Sequence, residues 1–112
     1  MIESYTFGCM VIDGQTYTSD LIIFPHKIES SWWRKSGHKL CLRDIEDILE
    51  EKPGALIIGT GFMGLMKVEE EVKQYTQSKE IDLIIEKTKK AVQSFNELST
   101  KKKTIGAFHL TC

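Results

Sequence analysis

Cysteine is the first shortage to consider. Cys9, Cys41 and Cys112 are odd in number, widely spaced and contain no C-x-x-C pair. That pattern excludes a disulfide framework and a cysteine-based zinc site, and leaves free thiols in a reducing compartment. No apolar run approaches the ~18–20 residues needed to cross a bilayer. The start, Met1-Ile2-Glu3-Ser4, lacks the basic region and apolar core of a signal peptide, so the expected address is cytoplasmic. Net charge is also scarce. At −1, with acids and lysines interspersed, the chain has no general attraction for nucleic acid or an anionic membrane. Lysines do gather late, at Lys87, Lys89, Lys90 and Lys101–Lys103, without the stacking aromatics or arginines of a nucleic-acid patch. They read as a solvated helix face and a helix C-terminus.

What remains is an ordinary globular composition, 41% apolar and 28% charged over 112 residues. This is one domain, residues 1–112, long enough to bury about two thirds of its unfolded surface. Its first third is β-rich. Tyr5, Phe7, Cys9 and Val11 alternate with polar or small neighbours between Ser4 and Ile12. Asp13-Gly14 then precedes Thr16-Tyr17-Thr18, which predicts a hairpin with a type I′ turn. A third run, Leu21 to Phe24, closes at Pro25, and Ile28 to Trp33 is expected to add a fourth short strand.

From Arg43 the period changes. Ile45, Ile48 and Leu49 mark a helix face, and Pro53-Gly54 stops it. The apolar strand Ala55 to Ile58 runs into a glycine-rich turn, and a second helix is expected from about Glu69. Ile81 to Ile85 is a further strand. Thr88 is the expected cap of the clearest amphipathic helix, with Ala91, Val92, Phe95 and Leu98 inward, and Thr104 to Leu110 is the closing strand. Strands separated by helices of this length are βαβ units. The expected fold is α/β: a mixed, partly parallel central sheet with helices packed on it in three layers, plus an N-terminal β-hairpin region.

Gly59, Gly61 and Gly64 spell G-x-G-x-x-G, with Glu86 closing the next strand. A dinucleotide fingerprint needs the helix to begin inside the turn and the motif to open its domain. Here Leu65-Met66-Lys67-Val68 has no helix signal, a strand-rich region comes first, and only two strands follow, so no cofactor is expected. The turn reads either as a backbone device or as a pocket for an anion or polar group.

A second constellation is Trp32-Trp33-Arg34-Lys35-Ser36-Gly37-His38. Arg34 and Arg43 are the only arginines, and arginine suits gripping an oxyanion or stacking on a ring. Adjacent tryptophans on a strand would face opposite sides, one into the core and one free to anchor a partner. G-x-S-x-G and H-E-x-x-H are absent, and His26 and His109 have no ligand spacing. No catalytic or metal-binding residue is assigned.

Phe7-Gly8, Tyr17, Asp20, Trp33-Arg34, Gly37-His38, Asp44, Leu56 to Gly61, the Thr88…Ala91…Phe95-Asn96 pattern and the ending Phe108-His109-Leu110-Thr111-Cys112 occur in that order. Together they resemble, from end to end, a family of small proteins largely of unknown function. That family includes the adipogenesis-associated domain protein of animals and a mitochondrial assembly factor for respiratory complex I. Two positions depart from its pattern: Val68-Glu69 replaces a proline at the second helix, and Cys41-Leu42 replaces the polar cap of the first. The resemblance implies a three-layer α/β fold and, for the eukaryotic relatives, a role in protein assembly or interaction. It carries over no catalytic residue.

Two functions are therefore expected. The first is a non-enzymatic protein-interaction or assembly module with a protein partner and a surface at Trp32 or Trp33. The alternative is a small-molecule or anion-binding protein, or an unrecognised enzyme. Its pocket would gather Arg34, His38 and Thr88 at Gly59-Thr60-Gly61.

Overall fold

A computed structural model describes all of residues 1–112. At its centre lie β7 (Ala55–Thr60) and β10 (Thr104–His109), paired in parallel, with every residue of both strands buried. Central strands covered on both faces need apolar side chains in either direction, which is why Ala55-Leu56-Ile57-Ile58 shows no alternation. The sheet order is β5-β4-β10-β7-β9. β9 (Asp82–Glu86) is parallel to β7, whereas β4 (Leu21–Ile23) and β5 (Ile28–Glu29) are antiparallel additions at the other side.

Chain direction explains the layers. The path from β7 to β9 moves outward by one strand, and that from β9 to β10 returns past β7. Crossovers of one hand then place their helices on opposite faces. α2 (Glu70–Ser78) accordingly sends Val72 into one apolar cluster with Ile45, Ile48, Leu56, Ile58 and Trp32. α3 (Thr88–Leu98) sends Ala91, Val92 and Phe95 into a second cluster with Ile57, Phe108, Met10 and Ile12. The three-layer mixed α/β architecture agrees with the sequence reading.

Four local details differ from that reading. The run from Ser4 to Ile12 is not one strand. It folds back at Phe7-Gly8, where Gly8 takes φ +74°, and becomes β1 (Ile2–Thr6) and β2 (Cys9–Ile12). With β3 (Gln15–Tyr17) they form a three-stranded antiparallel meander. The Asp13-Gly14 turn does have positive φ at both residues, 47° and 83°, as a type I′ turn requires. Second, the strand expected from Ile28 to Trp33 ends at Glu29.

Third, the first helix opens with a 3₁₀ turn (Leu42–Ile45) before a short α1 (Glu46–Glu50). Its cap comes from within. The Asp44 carboxylate accepts the amides of Cys41 and Lys35, each at 3.1 Å, in place of a polar residue at Cys41. Fourth, Thr88 does not cap α3. It is the first residue inside the helix, and its hydroxyl turns to other partners. The delayed start of α2 was foreseen. Lys67-Val68 instead forms β8, paired in parallel with β6 (Lys39–Leu40).

Candidate functional site

Polar side chains meet where β10 ends, around His109 and Leu110. Asp20, in the loop entering β4, supplies the central carboxylate. One oxygen, Oδ1, accepts the Leu110 amide at 2.8 Å. The other, Oδ2, lies 2.8 Å from His109 Nδ1 and 2.8 Å from Arg34 Nη1. A carboxylate only accepts, so Nδ1 carries the proton and Nε2 of a neutral His109 carries the lone pair. Burial pushes the Asp20 carboxyl up, but hydrogen bonds from His109, the Leu110 amide and Arg34 outweigh it and hold it below its ordinary value.

Arg34 reaches this point from the loop after Trp33. Its side chain is only 5% exposed, stacks on the Trp32 ring at 4.8 Å and donates to the Gly37 carbonyl at 3.3 Å. The adjacent tryptophans part company: Trp32 is 6% exposed and Trp33 is 74% exposed. That division was expected from strand alternation, yet neither residue is in a strand. The indole N–H of Trp32 is drawn inward to the Asp44 carbonyl at 3.0 Å.

Thr88 ties the hub to the glycine turn. Its hydroxyl donates to the His109 carbonyl at 2.7 Å and accepts the Gly61 amide at 2.9 Å. Tyr5 donates its hydroxyl to the Leu110 carbonyl at 2.7 Å. Burial and the Asp20 charge raise the Tyr5 pKa against the opposing effect of Thr88.

The glycines answer to packing. A Cβ on Gly59 would sit 2.8 Å from both the Phe108 ring and the Thr88 hydroxyl. Gly61, at φ +108°, lies so near the end of the chain that a Cβ would meet the Cys112 carbonyl carbon at 2.3 Å. The amides that an anion would need have internal acceptors. Gly61 bonds to Thr88, Phe62 to the Thr111 carbonyl at 2.7 Å, Gly64 to the Gly61 carbonyl and Leu65 to the Cys112 carbonyl.

Of the expected pocket residues, Arg34, Gly61 and Thr88 gather around His109. Thr60 is paired with His109 in register and directs its hydroxyl to the Glu86 carbonyl at 3.1 Å, while Gly59 lies opposite Phe108. His38 is elsewhere. It is exposed in the turn just before β6, where its carbonyl accepts the Lys67 amide. Asp20, Tyr5 and His109 were missed as site residues. A lone acid among apolar strands and a lone histidine in a buried closing strand were the available signals. Three buried nitrogens, Arg34 Nε and Nη1 and His109 Nε2, have no aligned hydrogen-bond partner. No group of three or more His, Cys, Asp and Glu side chains is arranged to hold a metal ion.

Large apolar side chains lie exposed on segments that are bonded to the hub or to the last residues of the chain. Phe7, Trp33, Phe62, Met63 and Leu65 are all exposed. Phe7 and Phe62 meet edge to face at 5.8 Å, and Tyr5 lies 6.5 Å from Phe62.

Solved structures share this architecture. A conserved hypothetical protein from Pyrococcus horikoshii is 31% identical, with a TM-score of 0.85, over 100% of this chain and 99% of that one. A protein from Bartonella henselae described as an outer membrane protein is 24% identical, with a TM-score of 0.82, over 99% and 94% of the two chains. In the present chain no helix is long and apolar enough to cross a membrane. A Xanthomonas campestris protein solved by NMR matches the fold at 14% identity and a TM-score of 0.81, over 98% and 83% of the chains. The family model described as "Protein of unknown function (DUF498/DUF598)" matches residues 2–110, nearly the full length. The chain belongs to the DUF498/DUF598 family.

Proposed function

We propose that this protein is a non-enzymatic interaction or assembly module that docks a partner protein through the apolar face around the hub. One observation carries this reading. Segments bearing exposed anchors are each fastened to the same stretch, His109 to Cys112. The residue after Phe7, Gly8, donates its amide to the Leu110 carbonyl at 2.8 Å. Phe62 and Leu65 bond their own amides to Thr111 and Cys112. The residue after Trp33, Arg34, is held by Asp20, the carboxylate that also holds His109 and the Leu110 amide.

Rigid aromatic and thioether side chains are the groups that dominate protein interfaces, and fixing them in advance lowers the entropy lost on docking. The partner this chemistry fits is a protein offering a complementary apolar surface. An assembly role like that of the complex I assembly factor, which the chain resembles, is compatible with such a face. Three free thiols fit a cytoplasmic setting.

Photo-crosslinking in the source cell tests the proposal. A benzoylphenylalanine at position 62 or 33 should trap the same discrete protein, and one at Lys73 should not. Absence of a shared adduct at positions 62 and 33 overturns the reading. An adduct that is a second copy of this chain replaces it with self-association.

A second reading, an anion pocket at the hub, is favoured by Arg34 Nε, a buried guanidinium N–H with no acceptor. A buried charged donor left without an acceptor is costly, and an oxyanion would satisfy it. Titration with phosphate and acetate, followed through the His109 imidazole by NMR, tests it. Unmoved resonances at millimolar anion dispose of it.

A further inference from the structure

The opposite edge of the sheet carries a cleft of about 950 Å3, within the size range of small-molecule sites. It lies beside Thr104, five residue steps from His109 along β10, or roughly 17 Å at strand rise. Its floor is apolar. Ile12, Ile23 and Phe95 are buried there, and Tyr17 and Ile28 are half-buried. Its rim is cationic, because Lys27, Lys101, Lys102 and Lys103 line it and Asp13 is the one lining acid. Asp13 is itself paired with the Met1 ammonium at 2.9 Å, which leaves the lysines as the charged side chains of the rim.

We propose that this cleft binds a small amphipathic anion, a carboxylate or phosphate head on an aliphatic or aromatic tail. The tail would lie along Tyr17 and Ile28, and the head would meet the lysines. Lys27 is the freest of the four. It makes no ion pair and rests over the Phe24 ring at 5.1 Å. Lys101 and Lys103 face Glu97 and Glu51 at 3.6 and 3.8 Å, and Lys102 faces Asp82 at 2.5 Å. These pairs are solvent-exposed and individually weak, so a ligand anion can compete with their acids at little cost. This site is independent of the docking face, because it shares no residue with the hub or its apolar surround.

Calorimetric titration with octanoate, octyl phosphate, octanol and inorganic phosphate tests the proposal, alongside amide NMR mapping. Octanoate or octyl phosphate should bind and shift the amides of Ile12, Tyr17, Ile28 and Ser99 to Thr104. The tighter of the two identifies the head group. Octanol and inorganic phosphate should each bind about tenfold more weakly, since each lacks half of the recognition. Lys27→Ala with Lys101→Ala, both on exposed positions, should weaken binding about fivefold, as should Tyr17→Ser. Phe62→Ser should leave binding unchanged, which separates this site from the docking face. No amide shift with either anion at millimolar concentration overturns the proposal. So does equal binding of octanol, or affinity indifferent to the lysines.

Discussion

Asp20 is the centre of the polar hub, since its two oxygens hold the Leu110 amide at the end of β10, an imidazole and a guanidinium. Removing one partner from a buried charged set costs about 3–5 kcal/mol, because the others are left without compensation. Asp20→Asn is therefore expected to lower unfolding stability by roughly 3 kcal/mol in urea titration. The sign of the pH effect follows from its lowered folded-state pKa. Stability from Asp20 is complete above the unfolded carboxyl value of about 4 and is lost as pH falls through the folded value. The asparagine variant should lose that part of the acid limb of the stability curve.

Thr88 offers a cleaner residue-scale test. Valine preserves its shape and removes its hydroxyl, leaving the Gly61 amide and His109 carbonyl unpaired in a fully buried place. Thr88→Val should cost about 2–4 kcal/mol by thermal or urea unfolding, whereas Thr88→Ser, which keeps both bonds, should cost under half of that.

At the scale of elements, β7 and β10 form the protected centre, with neighbours on both edges and helices or the meander over both faces. β6 and β8 are two residues each and form a small two-stranded sheet outside the central one. Native-state hydrogen exchange should therefore find the slowest amides from Leu56 to Ile58 and Ile105 to Ala107, opening only with global unfolding. The amides of Lys39 and Lys67 should exchange much faster. The long buried runs made β7 and β10 legible in the sequence, as the Asp13-Gly14 pair did the turn after β2. The split at Phe7-Gly8 was less so, because the alternation of Tyr5, Phe7, Cys9 and Val11 continues across the turn.

For the whole molecule, the sheet separates two ends of different chemistry. One end carries the hub and its apolar surround, the other the lysine-rimmed cleft. Exposed side chains contribute little to folding, so Phe62→Ser with Trp33→Ser should change stability by less than about 1 kcal/mol. The same double variant should lose the crosslinked adduct, read from a probe placed at Met63. Stability and docking would then divide between the hub side chains and the residues they hold in place.

Local pattern by itself determined the helices, the strands of the central sheet, the α/β class and the absence of a fingerprint helix at the glycine turn. These depend on periodicity, turn chemistry and run length, which act over a few residues. Only the tertiary structure decided which polar residues meet. Asp20, Arg34 and His109 are separated by up to 89 positions and come together because β4 and β10 are sheet neighbours. It also decided why the turn after Ile58 is glycine-rich. The partners that exclude a side chain there, Thr88 and Cys112, come from distant parts of the chain.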